Sequence, residues 1–180
     1  AACRTLTDWA RRPAFRDLTL SVNISPRQFI ENDFVARLQA LLRKTGAPAS
    51  KLLLEVTEGI VLLNTDQVIQ KMRELCNMGL SFSVVDVGTG YSSLSYLQRL
   101  PLRQVKIDKA SVHDVTHNVS SASIVRAILA LAHSMDLTVV SEGVETPEQM
   151  QLLVSLGCDE FQGYLLGRPA MLTTFEAGVL

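Results

Sequence analysis

Phe82–Leu97 reads FSVVDVGTGYSSLSYL, and the fold follows from how this stretch is punctuated. Its opening, with Phe82, Val84 and Val85, is an apolar β-branched run of the kind buried on both faces of a parallel sheet. The run ends at Asp86, Gly88-Thr89-Gly90 supplies a permissive turn, and Ser92 or Ser93 is placed to cap a following helix. A charged residue at the carboxyl end of a buried strand, ahead of a glycine turn and a helix start, is where α/β proteins gather their chemistry.

The same strand–turn–helix unit recurs on both sides. Upstream, AACRTLTDWARR reads as an amphipathic helix and Leu18–Asn23 as a strand. Ser25-Pro26 then starts a helix expected to run to about Lys44, with Phe34, Leu38, Leu41 and Leu42 on one face and Gly46 beyond its end. Lys51–Val56 is the second strand and carries Glu55, with Glu58 just after it. Asn64 and Gln67 read as a capping pair for a helix with Val68, Ile69, Met72, Leu75 and Cys76 on its apolar side, stopped by Gly79. Downstream, a helix is expected over Ser92–Leu100, and Arg103–Ile107 is the fourth strand, with Lys106 and Asp108 at its end. A helix over Ser121–Met135, a fifth strand over Leu137–Val140, a Thr146-Pro147-Gln149 capping box and a short sixth strand over Asp159–Gln162 complete the alternation.

Composition narrows the classes. The 180 residues are 47% hydrophobic, enough for the core of one globular domain spanning residues 1–180. A net charge of −1 with no basic cluster excludes a surface for DNA or RNA duplexes. No apolar run approaches ~18 residues, so no membrane segment is read. Cys3, Cys76 and Cys158 are far apart and unpaired in pattern, which points to reduced thiols and a cytoplasmic protein.

Strands followed by helices imply right-handed parallel crossovers, in an open doubly wound sheet or a (β/α)8 barrel. Asn23, Glu55, Asp86, Lys106, Glu142 and Gln162 all fall at strand carboxyl ends. An open sheet gathers ligand groups only at its switch point, whereas a barrel brings every strand end to one mouth. The expected fold is therefore α/β, a modified TIM (β/α)8 barrel whose first strands are absent from this chain. The edge so left is expected to be covered by another chain or by further parts of a longer protein. Three carboxylates with two amides form a hard oxygen set suited to Mg²⁺ or Mn²⁺, and a neighbouring lysine suits metal-assisted hydrolysis of a phosphate ester. Enolase-like proton abstraction with Lys106 as base is the other chemistry open to these residues. His113, His117 and His133 read as solvated surface.

Six motifs carry a resemblance: VNIS (Val22–Ser25), LEVTE (Leu54–Glu58), VDVGTGYSSLSYL (Val85–Leu97), KID (Lys106–Asp108), EGVET (Glu142–Thr146) and QGY (Gln162–Tyr164). On these the chain resembles the EAL domain family of bacterial cyclic di-GMP phosphodiesterases. The resemblance implies hydrolysis of cyclic di-GMP to linear pGpG by two Mg²⁺ or Mn²⁺ ions. It implies Asn23 and Glu55 as ligands of the first metal and Asp86 as a ligand of the second. Lys106 is implied to hold the catalytic water, Glu142 to serve the second metal or act as base, and Gln162 to line the site. Glu58 and the loop from Gly88 through Thr89 and Gly90 to Ser93 are implied to couple the site to a homodimer, with Asp108 and Glu145 in support. A flanking GGDEF or sensory domain is also implied.

The departures are specific. The family has DDFGTG where this chain has Val85-Asp86-Val87-Gly88-Thr89-Gly90, so Val85 stands where a metal-bridging carboxylate is implied. The usual Ala before EGVE is Ser141, KIDRSF becomes KIDKAS, and the EAL motif itself does not occur. Losing even a supporting partner of a metal ligand costs about 10–100-fold in affinity or activity. Hydrolysis is therefore expected to be impaired, and the alternatives are a catalytically inactive receptor for cyclic di-GMP and a dimerising scaffold.

Overall fold

The computed structural model describes residues 1–57, 59–60, 66–87 and 97–179, for residues 86 and 87 the backbone only. In chain order the described elements begin with α1 (Ala2–Trp9), β1 (Leu20–Ile24), α2 (Pro26–Ile30), α3 (Phe34–Thr45) and β2 (Leu52–Thr57). Next come α4 (Asp66–Asn77), β3 (Ser81–Val87), β4 (Gln104–Ile107), α5 (Lys109–His113) and α6 (Val119–Ser134). The last are β5 (Thr138–Glu142), α7 (Pro147–Ser155), β6 (Glu160–Gln162) and α8 (Leu172–Val179). They fall into two compact units, the first built from Ala1–Phe82, Arg99–Pro101 and Ala170–Leu180, the second from Ser83–Gln98 and Leu102–Pro169.

In the first unit β1 and β2 pair in parallel, with Asn23 opposite Glu55. Both strands are read one or two residues early from sequence. α1 buries Cys3, Leu6 and Trp9, one face of a helix at i, i+3 and i+6. The aromatic cluster of Phe29, Phe34 and Phe82 has ring centroids 5.4 and 6.1 Å from Phe29. The helix expected from Ser25 to Lys44 is two helices, α2 and α3. Glu31, at φ −55° and ψ 136°, is extended and ends the first. The exposed carbonyls of that helix end are met by Lys71 of α4, whose Nζ donates to the carbonyl oxygens of Phe29 (3.2 Å), Ile30 (2.9 Å) and Glu31 (2.8 Å). A cation at a helix carboxyl terminus satisfies both its hydrogen-bonding and its dipole.

In the second unit β3, β4, β5 and β6 pair successively, all in parallel. The helices cover one face, α6 packing Val125, Ile128, Leu129 and Ala132 toward β4 and β5. Val105, Ile107 and Val139, the outward residues of those strands, are buried beneath it. α6 starts two residues before the expected Ser121, because Asn118 Oδ1 accepts from the N–H groups of Ser120 and Ser121 at 2.9 and 3.3 Å. The capping box of α7 forms as read, Thr146 accepting from the Gln149 N–H and Gln149 Oε1 accepting from the Thr146 N–H. Of the helix expected over Ser92–Leu100, residues 92–96 lie outside the described residues, and Leu97–Arg99 is a 3-10 turn. Asn64 also lies outside them.

Candidate functional site

Each described site residue sits where its strand runs out. In the first unit Asn23 is the fourth of five residues in β1 and Glu55 the fourth of six in β2. Their Cα positions are register partners, so the two side chains share one face of the parallel pair. Glu55 is buried and Asn23 exposed.

In the second unit Lys106, Glu142 and Gln162 come from the ends of β4, β5 and β6. Lys106 is 5% exposed, and its Nζ donates to Glu142 Oε1 at 2.6 Å and to Gln162 Oε1 at 3.0 Å. A buried ammonium is tolerated only when paired and hydrogen-bonded, and here a carboxylate and an amide oxygen both serve it. Glu142 keeps 23% of its side chain exposed. Gly143 follows at φ +71°, with Lys109 Cβ only 2.6 Å from where a Cβ would stand, so the turn after Glu142 takes only glycine.

β3 approaches Lys106 through a bulge. Val84 pairs with Val105 and Val87 with Ile107, so Val85 and Asp86 together oppose Lys106. Bulges re-aim side chains beside sites. Here the first bulged residue is apolar, Val85, 7% exposed. One layer deeper, Ser83 stands in register with Gln104 and is fully buried, its hydroxyl without a hydrogen-bond partner among the described residues.

Other expected site residues take different positions. Asp108 caps α5, its Oδ1 accepting from the Ala110 N–H at 2.8 Å. Glu145 is exposed, and its backbone N–H donates to Gln149 Oε1 at 2.8 Å. Glu58, Gly88, Thr89 and Gly90 lie outside the described residues, as does the Asp86 side chain. Ser141 is buried and its Oγ shares a 3.1 Å hydrogen bond with Cys158 Sγ. Burial pushes the Cys158 thiol up from its ordinary value. His113, His117 and His133 are all exposed, and His133 Nε2 lies 3.0 Å from Asp159 Oδ2, which also accepts from the Val139 N–H at 2.8 Å. Burial alone would raise the Asp159 carboxyl, but these two hydrogen bonds hold it below its usual value.

Sequence reading did not find the Gln104–Glu160 hydrogen bond of 3.0 Å in the second unit. Its signal was faint: a glutamine inside a short apolar strand, two residues before Lys106.

The family model described as EAL domain matches residues 1–169. The bifunctional diguanylate cyclase/cyclic di-GMP phosphodiesterase MucR of Pseudomonas aeruginosa is 40% identical over 93% of this chain and 24% of its own length. Cyclic di-GMP phosphodiesterase NbdA of the same organism is 38% identical over 95% of this chain and 23% of its own length. The chain thus spans about a quarter of the length of these curated relatives. Among solved structures, the PaMucR phosphodiesterase in complex with cyclic di-GMP superposes with a TM-score of 0.92 at 38% identity, covering 97% of this chain and 70% of that one. BlrP1 of Klebsiella pneumoniae with manganese and cyclic di-GMP gives a TM-score of 0.81 at 31% identity, covering 93% of this chain and 43% of that one.

Proposed function

Because the chain belongs to the EAL domain family, with its α/β TIM-like barrel fold and its place in cyclic di-GMP signalling, we propose that it binds cyclic di-GMP and hydrolyses it poorly or not at all. The observation that carries this reading is Lys106, whose ammonium is already matched by Glu142 at 2.6 Å and Gln162 at 3.0 Å while Val85 stands opposite it.

Solved relatives hold calcium or manganese with cyclic di-GMP. The described side chains supply few donors for a two-ion centre. Asn23 and Glu55 offer an amide and a carboxylate side by side in the first unit. In the second unit Val85 offers no oxygen, and one oxygen of Glu142 is engaged by an ammonium. Among the described residues no group of three or more His, Cys, Asp or Glu is placed to hold a metal ion.

In this reading the chain's own residues bind rather than cut. Lys106 supplies a fixed positive charge toward a phosphate group, Gln162 orients that charge, and Glu142 limits it. Mg²⁺ or Mn²⁺, if taken up in the first unit, would find an amide and a carboxylate oxygen in Asn23 and Glu55, and would supply charge for the phosphates. The greater length of the relatives supports a larger parent protein, with a diguanylate cyclase-type neighbour as in MucR. Among the described residues no helix is long and apolar enough to cross a membrane.

The test is calorimetric titration of cyclic di-GMP in Mg²⁺, in Mn²⁺ and in chelator, with pGpG followed by chromatography. Saturable binding in all three with no pGpG above the blank is expected. Binding confined to metal-containing buffer, together with pGpG turnover, would establish an active phosphodiesterase instead.

A further inference from the structure

Beneath the Lys106–Gln162 contact lies a second polar rung. Gln104 precedes Lys106 by two residues on β4, and Glu160 precedes Gln162 by two on β6, so each shares a face with its successor. Gln104, 9% exposed, donates from Nε2 to Glu160 Oε2 at 3.0 Å. Both rungs pass over β5, which pairs with β4 on one side and β6 on the other. Two strand spacings amount to about 9.6 Å, so side chains of β4 and β6 touch only where the inner face of the sheet curls. Two rungs, one residue pair apart along the strands, hold that curl at two levels.

We propose that Gln104 and Glu160 are positioning residues for the cyclic di-GMP site. β6 is only three residues long, and among the described residues it pairs as a strand with β5 through Val140–Glu160, Ser141–Phe161 and Glu142–Gln162. The lower rung adds to the Lys106–Gln162 contact a further attachment to β4. With that attachment cut, β6 relaxes away from β4 and carries the Gln162 oxygen from the Lys106 ammonium, which loses one of the groups that aim it. The ammonium is then drawn toward Glu142 and away from an incoming phosphate. Glu160 acts here as a hydrogen-bond acceptor, a part that an amide oxygen fills equally well.

The ligand readout rests on the cyclic di-GMP reading above, and the experiment separates the two. Cyclic di-GMP is titrated in chelator into the parent chain and into Glu160→Ala, Gln104→Leu and Glu160→Gln. Loss of one hydrogen bond that orients a charged contact is expected to weaken binding about tenfold in the first two variants. Glu160→Gln keeps the acceptor and is expected to bind within about twofold of the parent. Parent-like affinity in Glu160→Ala and Gln104→Leu overturns the inference, and so does a fall in Glu160→Gln equal to that in Glu160→Ala. If the parent chain itself takes up no nucleotide, the ligand reading fails, and the rung is judged by thermal unfolding of Glu160→Ala, Gln162→Ala and the double variant. Coupled rungs make the double variant lose less than the sum of the single losses, and strictly additive losses overturn the inference.

Discussion

Lys106 Nζ and Glu142 Oε1 lie 2.6 Å apart, and the two partners differ sharply in their access to water: 6% of the Lys106 side chain is exposed against 23% for Glu142. Removing either partner therefore has unequal consequences. Glu142→Ala removes the carboxylate that lies 2.6 Å from a buried ammonium and is expected to cost about 3 kcal/mol, the low end for breaking a buried pair. Lys106→Met fills the same volume with an apolar chain and leaves a carboxylate that can rehydrate, at a cost of about 1 kcal/mol. Urea unfolding of the two variants checks the order. Equal losses would mean that the pair is no more buried at one end than at the other.

Gly163, directly after Gln162, is fixed by its neighbours. A Cβ there would lie inside contact distance of the backbone N, C and O of Val144. That backbone cannot yield cheaply, because the Val144 N–H donates to Gln162 O at 3.1 Å and Val144 O accepts from the Leu165 N–H at 3.1 Å. Gly163→Ala is expected to destabilise by about 3 kcal/mol, the upper end of overpacking costs, and to weaken cyclic di-GMP binding by displacing Gln162. Chemical denaturation and calorimetry read the two effects. An unchanged affinity at reduced stability would show that Gln162 keeps its place without this turn.

Much of this arrangement is legible in sequence because it is local. An apolar β-branched run that ends on a polar residue, followed by glycine or a cap, marks Asn23, Glu55, Lys106, Glu142 and Gln162 as strand-end residues, and the structure keeps all five there. What escapes depends on pairing between distant segments. The break between α2 and α3 is stabilised by Lys71, 40 residues beyond Glu31, and Phe34–Leu42 periodicity alone gives no sign of it. The bulge that sets both Val85 and Asp86 against Lys106 exists only in the register with β4. The Gln104–Glu160 rung needs β4 and β6 to meet over β5, which no window of contiguous residues reveals. Asp108, a strand-end acid in a recognisable motif, also caps a five-residue helix, which the motif alone does not reveal.

Glu176 of α8 joins both ends of the first unit. Its Oε1 accepts from Trp9 Nε1 at 2.7 Å and its Oε2 pairs with Arg12 at 2.9 Å, while Phe175 lies against the Trp9 ring at 5.9 Å. The hydrogen bonds from the Arg12 guanidinium and then from the Trp9 indole hold the Glu176 carboxyl below its ordinary value. A carboxyl depressed in the folded state stabilises above its unfolded pKa, and that contribution fades as pH falls through the folded value. Thermal unfolding followed from pH 7 downward is therefore expected to show a steeper acid limb in the parent chain than in Glu176→Gln. Superimposable limbs would show that the Arg12 contact carries no differential charge energy in solution.

Val85 gives the sharpest test of the proposal that hydrolysis is weak. It is 7% exposed and, with Asp86, opposes Lys106 across the bulge. An aspartate at this position places a carboxylate in the same layer as the Lys106 ammonium and adds a hard oxygen donor where Val85 offers none. Without metal, Val85→Asp is expected to lower thermal stability, because a buried charge is gained with only partial pairing. With Mn²⁺ the loss is expected to be recovered, since an ion bound by the folded state alone raises its stability by mass action. The parent chain, by contrast, is expected to melt at nearly the same temperature with and without Mn²⁺. pGpG formation is expected to rise about tenfold or more over the parent, in line with the cost of disturbing a metal's ligand environment. A Mn²⁺-dependent melting shift that is equal in both chains would show that Val85 is not what keeps the ion out, and the missing oxygen would then have to be sought elsewhere in the site.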